Sequence, residues 1–328
     1  MPILASSYAN SPFLYLNGHF ETILPSIWRK VEGVTYKREK IDTPDGDFLN
    51  LDWSKVGGKQ LLLVSHGLEG DSQRHYARGL VKLFNQLGID VLVWNNRSCG
   101  GEINRQPILY HHGSTYDLDT VVKHVLSKSS YVGIFLVGIS MGGAQTLNYL
   151  GQQGSGLSPL IKRAAVYSTP VHLPSSAATL RRWSNAFYSR KFMGKLKKKM
   201  EAKGKQFPGL LDLERLKQVR NFDEFDTEFT AKLHGFKDAA DFYEQASPHA
   251  RIQGIGIPTL ILNAKNDPLL GEECYPIAFA RSSDVLFLEM PERGGHTGFT
   301  ISGSEFNYAE YRLLEFLLEC SCFNKSEE

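Results

Sequence analysis

The stretch Gly133-Ile-Phe-Leu-Val-Gly138-Ile-Ser140-Met-Gly142-Gly143 limits the possible folds more than any other part of the chain. Residues 133–138 form an apolar run of strand length, and from 140 to 150 the pattern becomes that of a helix. A chain that passes from strand to helix within two residues must turn sharply. Glycine at 138 and 142, on either side of the serine, removes Cβ atoms that would clash in such a turn. Ser140 therefore reads as the serine of a nucleophile elbow, with the N–H groups of the following helix aimed at negative charge developing beside it.

The rest of the sequence supplies the setting that such a turn needs. Residues 60–65 (QLLLVS), 90–95 (DVLVWN), 164–167, 258–263 (PTLILN) and 285–289 (VLFLE) are further short apolar runs that read as buried strands. Helical stripes separate them: Tyr76, Leu80, Leu83, Phe84 and Leu87 before Gly88, then Leu118, Val121, Val122, Val125 and Leu126. A last amphipathic helix is expected over about 304–319. Strands alternating with helices predict an α/β fold, a mostly parallel sheet flanked by helices. Near the front, Pro44-Asp45-Gly46-Asp47 separates 34–41 from 48–53 and predicts an antiparallel hairpin.

From 171 to 245 the alternation stops, and Lys, Arg, Phe and Leu recur at helical spacing with no strand. The 328 residues thus divide into an α/β core, 1–170 and 246–328, and a helical cap insertion, 171–245. Within the insertion, 190–205 (RKFMGKLKKKMEAKGK) holds eight Lys or Arg against one Glu. One reading is the solvated face of a cap helix whose apolar side, with Phe187, Phe192, Met193 and Leu196, covers the site. The other is a weak contact with an anionic membrane surface. The Phe, Leu and Trp183 content of the insertion suggests an apolar acyl group.

A serine hydroxyl needs a base, and the base needs a carboxylate to orient it. In this class of fold the partners follow in the order serine, acid, histidine, on loops after late strands. The strand at 258–263 runs into Ala264-Lys-Asn-Asp267, and the strand at 285–289 into Pro291-Glu-Arg-Gly-Gly-His296-Thr-Gly. Of the ten histidines only His296 follows the last strand in a glycine-rich loop. Asp267 is the favoured acid, with Glu292 and Asp284 as competitors. The oxyanion requires two backbone donors. Met141 supplies one, and Leu68, in Ser65-His-Gly-Leu-Glu-Gly70 after an early strand, is the candidate for the other.

Composition bounds the remaining possibilities. With 42% apolar residues the chain has ample material for a core, and 37 Lys plus Arg against 35 Asp plus Glu argue against a nucleic-acid partner. Four cysteines, Cys99, Cys274, Cys320 and Cys322, are too few and scattered for a disulfide scaffold. The Cys-x-Cys pair lacks a second pair of metal ligands, and no cofactor or metal is called for. No apolar run approaches a membrane span, and no basic segment precedes an apolar one at the front. A soluble, cytoplasmic chain is expected.

With these residues in view, the chain resembles the YheT-like family of α/β-hydrolases over roughly 11–316. The resemblance is carried by Asn17-Gly-His-Phe-Glu-Thr22, His66-Gly-Leu-Glu-Gly70, Asn96-Arg-Ser-Cys-Gly-Gly-Glu102 with Asn104-Arg105, and Tyr110-His-His-Gly-Ser-Thr-Tyr-Asp-Leu118. Gly138-Ile-Ser-Met-Gly-Gly143, Leu233-His-Gly-Phe236 and Gly294-Gly-His-Thr-Gly-Phe299 complete it. It departs at Glu21, Ser98 and Asn266, where the family usually has Gln, Gly and often Asp. The resemblance implies the α/β-hydrolase fold and a serine hydrolase cleaving carboxylic esters, with Ser140, Asp267 and His296 as the triad. Small to medium acyl chains and an acyl-enzyme intermediate are expected. An acyltransferase or thioesterase using the same triad, or a catalytically silent binding protein, are the alternatives. The oligomeric state is not legible.

Overall fold

A computed structural model describes residues 3–9, 16–128 and 130–319. Cys320 and Cys322 lie outside the described residues. A nine-stranded sheet organises the described chain, with strands β1 (Ile3–Leu4), β2 (Lys37–Asp42), β3 (Phe48–Ser54), β4 (Gln60–Ser65), β5 (Asp90–Asn95), β6 (Gly133–Ile139), β7 (Ile161–Tyr167), β8 (Thr259–Leu262) and β9 (Leu286–Glu289). Their order across the sheet is β1-β9-β8-β7-β6-β4-β5-β3-β2. Only β3 breaks the parallel pattern, pairing antiparallel with β2 and with β5. The hairpin expected around Gly46 is the β2–β3 pair, and Gly46 adopts φ +79°.

Strand alternation sorts the apolar side chains into two layers. Leu61, Leu63, Leu92, Trp94, Ile134 and Leu136 face one side, where α3 (Thr115–Lys128) and α4 (Met141–Gln153) pack. Leu62, Val64, Val91, Val93, Phe135 and Val137 face the other, covered by α2 (His75–Gln86) and α12 (Tyr308–Leu318). Each central strand is covered on both faces, which is why its sequence is apolar almost throughout. The last helix begins later than its periodicity suggests. Asn307 and Glu310 form a capping box that fixes the start at Tyr308.

Besides the short helix α11 (Ile277–Ser282) between β8 and β9, two elements have no counterpart in the sequence reading. One is β1, a two-residue parallel edge strand on β9. The other is α1 (Gly18–Trp28), capped by the Asn17 side chain. Phe20, Ile27 and Trp28 of this helix are exposed, so it lacks a clear apolar stripe. It is anchored instead by polar contacts, including a bidentate Arg29–Glu310 pair at 2.7 Å that ties its end to α12.

The family block 96–102 is structural. Arg97, nearly fully buried, reaches Asp45, Asp47 and Asp117, and so fastens the end of β5 to the hairpin turn and to α3. Ser98 adopts φ +61°, a left-handed conformation that glycine reaches more easily. Its hydroxyl bonds Asn104 Oδ1 at 2.6 Å.

Between β7 and β8 the described chain holds helices and no strand: α5 (Leu173–Leu180), α6 (Ala186–Gln206), α7 (Leu213–Gln218), α8 (Phe222–Phe225), a π turn (Asp226–Ala231), α9 (Lys232–His234) and α10 (Ala239–Ala246). Met193, Leu196 and Met200 of α6 pack with Leu216, Phe225 and Phe229 onto Leu109, Tyr110 and Met141. Phe187 is mostly exposed, so it does not join the buried apolar side expected of it, and Trp183 is 90% exposed.

The basic run is not simply a solvated face. Arg190, Lys191, Lys198 and Lys205 are exposed, but Lys195, Lys199 and Lys203, spaced one turn apart, point inward. Lys195 donates to the Glu69 carbonyl at 3.2 Å, and Lys199 to the Glu69 carboxylate at 2.7 Å. Lys203 is fully buried and donates to Asn104 O, Gln106 O and Gln206 Oε1, which satisfies all three ammonium hydrogens. Burial lowers its pKa to about 8. Among the described residues no helix is long and apolar enough to cross a membrane.

Candidate active site

Because the central strands are parallel, the loops that follow β4, β6, β8 and β9 emerge along one edge of the sheet. Ser140 follows β6 and precedes α4 with φ +54° and ψ −121°, a strained backbone for a residue with a side chain. The turn closes because Gly142 lies against the end of β4. A Cβ there would sit 2.2 Å from Ser65 O and 2.5 Å from His66 O. At Gly138 it would meet Gly142 O at 2.5 Å.

Ser140 Oγ lies 2.9 Å from His296 Nε2, and His296 Nδ1 lies 2.8 Å from Asp267 Oδ2. A carboxylate can only accept, so Nδ1 carries the proton and Nε2 is free to receive one from the hydroxyl. Asp267 is buried, and its second oxygen accepts from Leu269 N at 2.9 Å. The competing acids are elsewhere: Glu292 pairs with Lys265 on the surface, and Asp284 is exposed.

Leu68 and Met141 flank the serine. Met141 opens α4, so its N–H has no partner within the helix. The Leu68 N–H donates to nothing among the described residues. The loop carrying Leu68 is held close, since a Cβ on Gly67 would come 3.2 Å from Ser140 Cβ. His66 shapes this loop: its Nε2 accepts from Asn96 N at 3.1 Å, so Nδ1 donates to Gly67 O at 2.8 Å. Burial depresses the His66 pKa to about 4, which keeps the ring neutral.

The residues that hold the histidine loop were missed from sequence. Glu21, buried on α1, accepts from Asn266 Nδ2 at 2.6 Å, from Arg293 Nε at 2.8 Å and from Gly294 N at 2.9 Å. Next to it, Thr22 Oγ1 accepts from His296 N at 2.8 Å. The opposite end of the loop is held by Ser168, whose hydroxyl accepts from Thr297 N at 2.9 Å. Two of the departures from the family pattern, Glu21 and Asn266, therefore face each other. The available signal was Asn17, a helix cap that opens the block containing Glu21 and Thr22.

Two cavities open beside the serine, and both are lined by Leu68, Ser140, Phe192, Leu269 and His296. The larger, about 140 Å³, extends between α1 and α6 past Arg74, Lys191 and Lys195. The smaller, about 90 Å³, is walled by Leu173, Ala177, Leu180, Phe222 and Leu270. It ends at Asp226, which bonds Tyr243 OH at 2.9 Å and Thr230 Oγ1 at 2.7 Å. Burial raises the Asp226 pKa to about 6.

Residues 58–283 match the family described as serine aminopeptidase, S33, a span that includes Ser140 and Asp267 but stops before His296. YheT of Escherichia coli (strain K12), named as a candidate esterase, is 33% identical over 87% of this chain and 85% of its own. The chain is a YheT-like α/β-hydrolase. A phospholipase of Mus musculus, ABHD3, is 30% identical to this YheT-like chain over 91% of it and 74% of the relative. The Pyrococcus furiosus esterase Pf2001 shares the fold, with a TM-score of 0.58 at 18% identity over 89% of this chain and 97% of that one. The YheT-like protein is a serine hydrolase of the carboxylesterase and lipase type.

Proposed function

We propose that this hydrolase cleaves carboxylic esters through Ser140, His296 and Asp267, by way of an acyl-enzyme. The observation that carries the reading is the unbroken pair of hydrogen bonds, Ser140 to His296 to Asp267. His296 takes the hydroxyl proton as Ser140 attacks the ester carbonyl, then gives it to the departing alcohol. Asp267 holds the imidazole in the Nδ1–H tautomer and stabilises the cation formed in passing. The Met141 and Leu68 N–H groups take the oxyanion. Water then attacks the acyl-enzyme with His296 again as base, and the serine is regenerated.

Residues 171–245 act in this reading as a cap that limits the acyl group. The apolar chamber of about 90 Å³ suits small to medium chains. The free thiols of Cys99 and Cys274 support a cytoplasmic site of action. The test combines Ser140→Ala with fluorophosphonate labelling and a panel of p-nitrophenyl esters of increasing chain length. Wild-type protein labels at Ser140 and turns over short and medium esters, and the variant does neither while keeping its melting temperature. Ester turnover retained by the variant overturns the triad. A folded wild-type protein that fails to label makes it a binding protein instead.

A further inference from the structure

The larger cavity beside Ser140 carries a charge imbalance that ester hydrolysis alone does not call for. Arg74, Lys191 and Lys195 line it, and among the described residues none of the three forms an ion pair with a carboxylate. The one carboxylate at hand, that of Glu69, is taken by Lys199 and by the Tyr110 hydroxyl. Arg74 and Lys195 instead converge on a single neutral atom. Arg74 Nη2 lies 2.8 Å and Lys195 Nζ 3.2 Å from Glu69 O. Two cations sharing one carbonyl repel each other, and the Lys195 pKa falls through burial first and the charge of Arg74 second. A guanidinium has five donors, and Arg74 spends one on the protein.

The location gives this imbalance a meaning. Glu69 directly follows Leu68, the candidate oxyanion donor, so the shared carbonyl lies about 4–7 Å along the backbone from that N–H. The apolar chamber on the other side of Ser140 suits an acyl chain and contains no cation. An ester bound across the serine thus has one apolar and one cationic compartment.

We propose that Arg74, Lys191 and Lys195 form an anion-binding subsite that receives a phosphate or carboxylate on the alcohol half of the substrate. The proposal rests on the ester-hydrolase reading and deepens it, from esters in general to esters with an anionic leaving group. The anion supplies the counter-charge that the protein withholds, and charge-assisted hydrogen bonds to Arg74 and Lys195 orient the alcohol away from the acyl chamber.

The test compares 1-butyrylglycerol with 1-butyrylglycerol 3-phosphate, both monomeric in solution. The wild-type kcat/KM ratio of phosphorylated to neutral ester is expected to be about tenfold in favour of the phosphate, expressed mainly in KM and shrinking as salt rises. Lys195→Gln and Lys191→Glu should each lower that ratio several-fold, whatever they do to absolute rates. Equal use of the two esters, or a ratio unmoved by the substitutions, overturns the subsite. A preference seen only with long-chain esters in anionic vesicles assigns the charges to a lipid surface and overturns it too. Binding of glycerol 3-phosphate to Ser140→Ala protein, followed by calorimetry, separates the two readings. Binding that is lost on Lys195→Gln keeps the subsite even where no ester is turned over.

Discussion

Glu21 Oε2 accepts a 2.6 Å hydrogen bond from Asn266 Nδ2, joining a helix near the start of the described chain to the residue beside Asp267. The same carboxylate holds Arg293 and Gly294, so one buried group ties the acid loop to the histidine loop. Glu21→Ala leaves the Asn266 amide and the Gly294 N–H without an acceptor. Misplacing His296 by about 1 Å is expected to lower kcat by about 10²-fold with little change in KM. Glu21→Gln keeps one acceptor oxygen and should recover part of the loss. Steady-state kinetics of both variants check this, and equal KM and kcat effects would argue for a merely structural role.

Gly142→Ala drives a methyl group into the carbonyls of Ser65 and His66, both backbone atoms that cannot rotate away. The expected result is a loss of roughly 1–3 kcal/mol in stability, together with reduced turnover as the Leu68 and Ser140 loops separate. Chemical denaturation and ester kinetics on one preparation test the two effects together. A variant as stable as wild type contradicts the packing.

Ala177 lines the apolar chamber on α5. Ala177→Phe fills it, so kcat/KM for octanoyl esters should fall about tenfold relative to acetyl esters, with the acetyl rate nearly unchanged. An unaltered chain-length profile would place the acyl group elsewhere.

Burial keeps several histidines neutral. The His66, His112 and His234 pKa values fall to about 4, that of His75 to about 3, and His111 lies well below its ordinary value, with burial the largest cause in each case. In the unfolded chain these rings protonate near pH 6.5. The folded state therefore binds fewer protons below that pH, and stability is lost as pH falls from about 6.5 towards 4. The slope is up to about 1.4 kcal/mol per pH unit for each histidine. Asp226 acts in the opposite sense: its raised pKa, about 6, contributes stability that is full below pH 3.8 and lost as pH rises through 6. Asp117 and Glu310, whose pKa values burial also raises, act in the same sense as Asp226, and three carboxyls do not offset five histidines. Urea midpoints measured between pH 7 and 4.5 should fall steadily, and a flat profile contradicts the burial of these rings.

The strands and the loops they lead into were readable because their signals are local. QLLLVS and DVLVWN are apolar runs with turns at both ends, and they coincide with β4 and β5. Ser140, Asp267 and His296 each follow such a run, although only the fold brings them within hydrogen-bond reach. Glu21 gave no such signal. Its partners are more than two hundred residues away, and α1 carries a proline and several exposed apolar residues in place of a clean stripe. The basic run misled for a related reason. Lysines at 195, 199 and 203 share a helix face, but the carbonyls and the Glu69 carboxylate that receive them belong to loops whose positions composition does not encode.

Lys195 and Lys199 of α6 both grip Glu69, the residue next to Leu68. The roof of the pocket and the strand-end loop beside the nucleophile are thereby one mechanical piece. Raising α6 to admit a bulky molecule would pull on the very loop that must stay in register with Ser140. A rise of α6 would therefore break the Lys195 and Lys199 bonds that hold Glu69 beside the nucleophile.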